Sequence, residues 1–297
     1  MKPPRFDYLL PHTLDEALGL LAQHGEEAKV LAGGQSLVPL LAFRLVRPAH
    51  LVDLNDIAGL DGIRVEQGRL AIGAMTRQRA VETSSVVRER CPLLAEAIPQ
   101  IGHVQIRNRG TIGGSLAHAD PAGELPAVVA ALDGELVLRS RRGERRLAPH
   151  DFFVGYLTTA AAPDELLVEA RVPVTPPRTG TAFMEVSRRH GDFALVGVAA
   201  SITVDTGGVC TACAIALTGV GPTPVVVREA SRALVGVKPT VDALADIGGR
   251  VASGLTPDSD LHASAEYRQH LAGVLTRRAL ARALERVDGQ PGAKERR

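Results

Sequence analysis

Two short stretches hold the residues best suited to chemistry: Ala32-Gly33-Gly34-Gln35-Ser36 and, far downstream, Thr111-Ile112-Gly113-Gly114-Ser115. Each sets two adjacent glycines beside a hydroxyl side chain. Without two Cβ atoms a backbone can turn sharply and approach a ligand closely. Successive N–H groups in such a turn can converge on one concavity and hold an anion, with a hydroxyl as an extra donor. Either stretch alone reads equally well as an ordinary turn. Together, each behind a short apolar segment, they point to one dinucleotide diphosphate clasped from two sides.

Other chemistries find less support. No G-x-G-x-x-G follows a strand, and neither G-x-x-x-x-G-K-[ST] nor G-x-S-x-G occurs, which disfavours a Rossmann NAD site, an NTPase loop and a serine hydrolase elbow. Cys210-Thr211-Ala212-Cys213 fits C-x-x-C as a string. Residues three apart in a strand face opposite sides, so the pair reads as structural rather than as a metal or redox site. His103, His118 and His190 have no mutual spacing that suggests ligation. The arginines at 139, 141, 142, 145 and 146 read as a solvated hairpin tip, with a docking patch for another subunit as the alternative.

The elements that must position the glycine stretches follow from local pattern. Residues 5–10 read as a strand, and Thr13-Leu14-Asp15-Glu16 as a capping box opening a helix that Gly25 stops. Ala28 to Ala32 is a strand delivering the first glycine turn, Ser36 a candidate cap for the next helix, and His50 to Leu54 another strand. This β-α-β-α-β order predicts a small, partly parallel sheet with the turn at a strand's carboxyl end. From Gly62 the pattern becomes α+β around a mainly antiparallel sheet, with hairpins at Gln67-Gly68 and Arg142-Gly143 and a strand over 166–172.

The run Pro173 to Gly180 contains three prolines and is the expected boundary. Three strand-like runs near 182–186, 194–204 and 209–217 should follow, then helices near 225–235, 241–253 and 265–287, and a polar tail over 288–297. The expected division is 1–176, with lobes of about 1–56 and 57–176, followed by 177–287.

A chain of 297 residues, 45% hydrophobic and 23% charged, can bury about two domains' worth of core. Its formal net charge of +1 gives no electrostatic case for nucleic acid or an anionic membrane. Apolar runs are too short for a membrane span. Three cysteines and an N-terminus without a signal-like apolar stretch predict a cytoplasmic, reduced protein. Aromatics make up only 3% of the chain, so the core must be aliphatic.

Leu31-Ala32-Gly33-Gly34-Gln35-Ser36-Leu37 and Arg107 to Leu116 resemble the paired FAD motifs of molybdenum hydroxylase flavoproteins, a likeness that continues through Ser187 to Leu195 and Ala263 to Arg268. The type is the FAD-carrying medium subunit of aerobic carbon monoxide dehydrogenase and its relatives, related to the xanthine dehydrogenase FAD domain. The resemblance implies a two-lobed FAD-binding domain of the PCMH type and a smaller α+β C-terminal domain with a three-stranded antiparallel sheet and helices.

It also implies non-covalent FAD, held by residues 31–37 and Thr111 to Ser115, with Ile101, Asp120, Glu124, Leu167 and Phe193 at further cofactor positions. Glu124 would accept from a sugar-like hydroxyl; its plainer reading is a helix N-terminal acid stabilised by the macrodipole. Leu167 would pack near the flavin or simply be core. Phe193 would lie against the isoalloxazine or be a core strand residue. Met184 replaces a lysine found in the xanthine dehydrogenase branch.

By the same resemblance the chain would pass electrons from [2Fe–2S] clusters in a small partner subunit to an external acceptor. A large partner would carry the molybdopterin, and the assembly would be a dimer of heterotrimers. The rival readings are a self-sufficient flavin reductase or oxidase on this fold, and a non-catalytic assembly subunit that has lost FAD, against which the two intact glycine pairs speak.

Overall fold

The computed structural model describes residues 2–287. The expected tail at 288–297 lies outside them. The first lobe runs β1 (Asp7–Leu9), α1 (Leu14–His24), β2 (Ala28–Leu31), α2 (Leu37–Ala42) and β3 (His50–Asp53). Thr13 and Glu16 form the expected capping box at α1, and Gly25 ends the helix at φ +54°. The three strands form a wholly parallel sheet in the order β1-β3-β2, which sends the chain out of the carboxyl end of β2 into the glycine turn. Ala17, Leu18 and Leu21 of α1 meet Val52 and Leu54 in the lobe's own core. Ser36 does not cap α2: its backbone is already helical, at φ −104° and ψ −47°, and its hydroxyl makes no cap bond.

The second lobe begins with the hairpin β4 (Ile63–Glu66) and β5 (Arg69–Gly73). Gln67 and Gly68 both take positive φ, the turn geometry that matches strand twist. Short helices follow: α3 (Gln78–Thr83), α4 (Ser85–Arg90), α5 (Pro92–Ala97), α6 (Val104–Arg109), α7 (Ile112–His118) and α8 (Glu124–Ala131). Next come β6 (Glu135–Ser140), β7 (Gly143–Leu147), α9 (Pro149–Phe152), the small ribbon β8 (Phe153–Gly155) with β9 (Thr158–Thr159), and β10 (Leu166–Pro173). The sheet is antiparallel in the order β4-β5-β10-β6-β7. α8 lies wholly inside the lobe, all eight of its residues buried.

After residues 174–178 come β11 (Thr179–Ser187), β12 (Ala194–Val204) and β13 (Cys210–Thr218), the three long antiparallel strands expected. A two-residue strand, β14 (Val225–Val226), adds a fourth edge where a helix start was expected, so α10 begins only at Arg228 (Arg228–Leu234). α11 (Val241–Ser253) and α12 (Ala265–Glu285) complete the chain. One face of this sheet packs on the helices through Val198, Ile202, Ile215 and Leu217. The other face, with Phe183, Ala199 and Ala216, joins the core of the second lobe. The proline-rich connector interrupts the sequence but not the packing.

A bulge at the Thr203–Val204 step offsets the pairing of β13. It shifts the alternation by one residue, so Cys210 and Cys213 both pack toward the helical core instead of on opposite sides. Both thiols are free, and burial pushes Cys213 up to about 12. The opposite-face reason for reading the pair as structural does not hold.

Candidate cofactor site

The first glycine turn has the features of an anion cradle. The N–H groups of Gly33, Gly34, Gln35 and Ser36 donate to no protein acceptor among the described residues. Gly34 sits at φ +74°, where a side chain is strained. Gln35 Nε2 donates to the Gly33 carbonyl at 3.0 Å, bracing the turn from within. Leu31, Ala32 and Leu37 flank it at the end of β2 and the start of α2.

The second stretch differs from its sequence expectation. It is not an open turn but the first turn of α7, and its amides are used. Ile112 N–H donates to the Thr76 carbonyl at 3.0 Å, Gly113 to Ala74 at 2.8 Å, and Ser115 to Thr111 at 3.2 Å. Gly114 N–H donates to the Thr111 hydroxyl, also at 3.0 Å. A Cβ on Gly113 would stand 2.8 Å from the Ala74 backbone, so that glycine serves close helix–strand packing. What this stretch offers a ligand is the helix start and the Ser115 hydroxyl, not a row of free amides.

The two stretches nevertheless meet. A Cβ placed on Gly114 would lie 3.6 Å from that of Ala32, and one on Gly33 would overlap the backbone of Arg109 and Gly110. Arg77 fastens them. Its guanidinium donates to the Arg109 carbonyl at 2.5 Å and to Asn55 Oδ1 at 2.6 Å. Asn55 in turn donates to the Ala32 carbonyl at 3.0 Å, and Asp53 orients Asn55 while accepting from Tyr8. The Asp53 hydrogen bond is the main reason the Tyr8 phenol is pushed up to about 12. Sequence reading missed Asn55 and Arg77, because neither belongs to a motif.

Beyond α7 the chain turns through Asp120, whose Oδ1 accepts from Ala122 N–H at 2.9 Å, and enters α8 at Glu124. Glu124 is indeed a helix N-terminal acid, where the dipole favours the charged form. Burial prevails: the residue is 6% exposed, and desolvation with help from Asp120 raises its carboxyl to about 7. The loop is pinned to the C-terminal sheet by the Thr218 hydroxyl, which donates to the carbonyls of Pro121 and Gly123 at 2.7 and 3.0 Å.

Phe193 is not a core strand residue. It lies just before β12, 65% exposed, and lines a cavity of about 310 Å³ with Arg188, Asp192, Leu195 and His262. Its loop rests on the first domain: a Cβ on Gly191 would come within 2.6 Å of the His103 ring, two residues from half-buried Ile101. Arg268 at the start of α12 holds the base of this region, donating to the Leu195 and Gly219 carbonyls at 2.5 and 2.9 Å. Gly219 N–H donates to Pro121, so the Phe193 and Glu124 segments share one end of the sheet.

Leu167 is 6% exposed, packed in the second-lobe core at a bulge opposite Leu138 and Val137. Met184 packs toward the helical core, on the opposite face from Phe183.

Comparison with known proteins covers nearly the whole chain. Residues 4–175 match the model of the FAD binding domain in molybdopterin dehydrogenase, and residues 181–283 match the CO dehydrogenase flavoprotein C-terminal domain. The chain is 44% identical to the 6-hydroxypseudooxynicotine dehydrogenase complex subunit alpha of Paenarthrobacter nicotinovorans over 97% of both chains. It is also 44% identical to the caffeine dehydrogenase subunit beta of Pseudomonas sp. (strain CBB1), over 97% of both. A solved CO dehydrogenase from Oligotropha carboxidovorans superposes with a TM-score of 0.94 at 40% identity, covering 96% of this chain and all of that one.

Proposed function

The chain belongs to the FAD-binding family of molybdopterin dehydrogenase subunits, and we propose that it is the electron exit of such a complex. As a family member it is the flavoprotein subunit of an oxidoreductase. In our reading it takes electrons from [2Fe–2S] clusters of a small partner and delivers them to an external acceptor, while a large partner holds molybdopterin. The assembly we infer is a dimer of heterotrimers in the cytoplasm. No helix among the described residues is long and apolar enough to cross a membrane. We divide the chain into a cofactor domain, 1–176, and a C-terminal domain, 177–287.

One observation carries the reading: four unused amides at Gly33 to Ser36 open beside a second glycine stretch fastened to them by Arg77. That cradle fits a diphosphate, since a Cβ-free turn with unsatisfied donors is the arrangement anions select. Ser36, Ser115 and Glu124 would take polyol hydroxyls, and Phe193 would bound the ring from the C-terminal domain. When bound, FAD would supply the redox chemistry, accepting electrons from one side and releasing them to the other. This chain's residues seat it, exclude water and leave one edge accessible.

Relatives at equal identity belong to complexes named for 6-hydroxypseudooxynicotine and for caffeine. This fits our reading that substrate choice lies in the partners rather than in these residues. The test is stopped-flow absorbance on the assembled complex with and without this chain. Substrate should reduce the clusters in both samples, while transfer to the acceptor slows without the chain. Equal acceptor turnover would remove the electron-exit assignment.

A further inference from the structure

The C-terminal domain contributes a partly buried carboxyl that neither motif nor mechanism uses. Glu185 on β11 pairs with Gly197 on β12, and Gly197 pairs with Thr218 on β13, so the three form one row across the sheet. Phe183, two residues before Glu185, packs into the second-lobe core, which places Glu185 on the face toward α8. At the far end of the row the Thr218 hydroxyl holds the Gly123 carbonyl, the residue before Glu124. Gly197 in the middle carries no side chain because its neighbours fill the space: a Cβ there would stand 2.7 Å from the Thr218 methyl and 3.4 Å from the Phe183 ring. The Glu185 Cβ would be only 3.5 Å from a Cβ built there.

Glu185 Oε2 is sealed from solvent and has no hydrogen-bond partner among the described residues. Glu124 is itself more than nine-tenths buried. Burying a carboxyl oxygen without a partner is costly, more so if it is charged, so such a group calls for a polar partner from outside the chain. The other charged groups nearby are engaged: Glu96 of α5 pairs with Arg286 of α12 at 2.6 Å and accepts from Phe183 N–H, and Asp120 lies 3.8 Å from His118.

We propose that Glu185 and Glu124 form an acid pair of the cofactor cleft, one donating to and the other accepting from an uncharged polar portion of bound FAD. The proposal rests on the FAD reading above. Desolvation raises Glu185 to about 8, with the Glu124 charge acting in the same direction. Burial thus favours the protonated, donating form of Glu185. Two hydrogen-bonding groups of opposite role, without net charge on the donor, suit a hydroxyl or amide-like ligand and repel an anionic one.

The experiment uses the full chain, stripped of flavin and titrated with FAD by fluorescence, between about pH 6 and about pH 9. Wild-type affinity should weaken at least about tenfold across that range. Glu185→Gln should bind as at low pH throughout, and Glu185→Leu should bind about tenfold more weakly at every pH while keeping its circular dichroism. Infrared difference spectra of the flavin-free chain at neutral pH, wild type minus Glu185→Gln, should contain a carboxylic-acid carbonyl band. Wild-type affinity and pH profile in both variants, or absence of that band, would overturn the acid pair. If the wild type binds no FAD yet has the band, the cofactor reading fails and the acid pair's ligand role falls with it. Failure of Glu185→Leu to fold leaves the Glu185→Gln profile to decide.

Discussion

Gly33 and Gly110, from different glycine-rich stretches, are packed so closely that a Cβ on Gly33 would stand 2.8 Å from the Gly110 Cα. Neither backbone can retreat freely. Gly110 donates to the Ile106 carbonyl and accepts from Gln78 N–H, and the carbonyl of neighbouring Arg109 is held by Arg77. Gly33→Ala should therefore separate the two stretches, at a cost of about 1–3 kcal/mol in stability, and flavin should be lost with it. Gly114→Val is gentler, since its Cβ meets chiefly the Thr111 hydroxyl. It should give folded, largely colourless protein with FAD affinity down at least tenfold, about 1.4 kcal/mol. Flavin occupancy unchanged in Gly114→Val and in Gly34→Val would remove the diphosphate assignment.

Arg77 is the clasp between the stretches. Arg77→Ala should weaken FAD binding about tenfold or more with a modest loss of thermal stability. Arg77→Lys should not restore it, because one ammonium cannot reach both the Arg109 carbonyl and Asn55 in the way a planar fork does. Calorimetric FAD titration of both variants checks this; full recovery by lysine would mean that charge alone matters.

Phe193 is exposed at the domain junction, so Phe193→Ala should shift stability by no more than about 0.5 kcal/mol. Its effect should fall on the flavin: faster reaction of the reduced protein with oxygen and an altered absorption envelope, with FAD still bound. Unchanged oxygen reactivity and spectrum would leave Phe193 a surface residue only.

The acid pair also sets the sign of a pH effect. Glu124 and Glu185 have folded values raised to about 7 and about 8, above the ordinary carboxyl range. Between the unfolded value and these, the folded chain binds more protons than the unfolded one, so stability falls as pH rises. A tenfold difference in proton affinity between the folded and unfolded chain corresponds to about 1.4 kcal/mol of that loss. Glu185→Gln should flatten the decline between about pH 5 and about pH 8 and raise stability at the upper end. Denaturant melts across that range measure the slope; a wild-type slope in the variant would remove Glu185 as its source.

The sequence alone determined the features whose causes are local. Thr13 with Glu16 fixes a helix start, Gln67-Gly68 fixes a turn of one hand, and alternating apolar residues fix the strands. Paired glycines marked both stretches that come together, because glycine's freedom is itself written in residue type. Tertiary structure decided what the glycines are for. Gly33 and Gly113 are required by backbones that only folding brings near, and α7 absorbs the amides of the second stretch. It decided the side on which Cys213 lies, because a one-residue bulge reverses strand parity and leaves no mark in composition. It also joined Asn55 and Arg77 to the two glycine stretches and left a Glu185 oxygen buried without a partner. An ordinary polar residue gains such a role only from neighbours distant in sequence, through burial and partners that no spacing encodes.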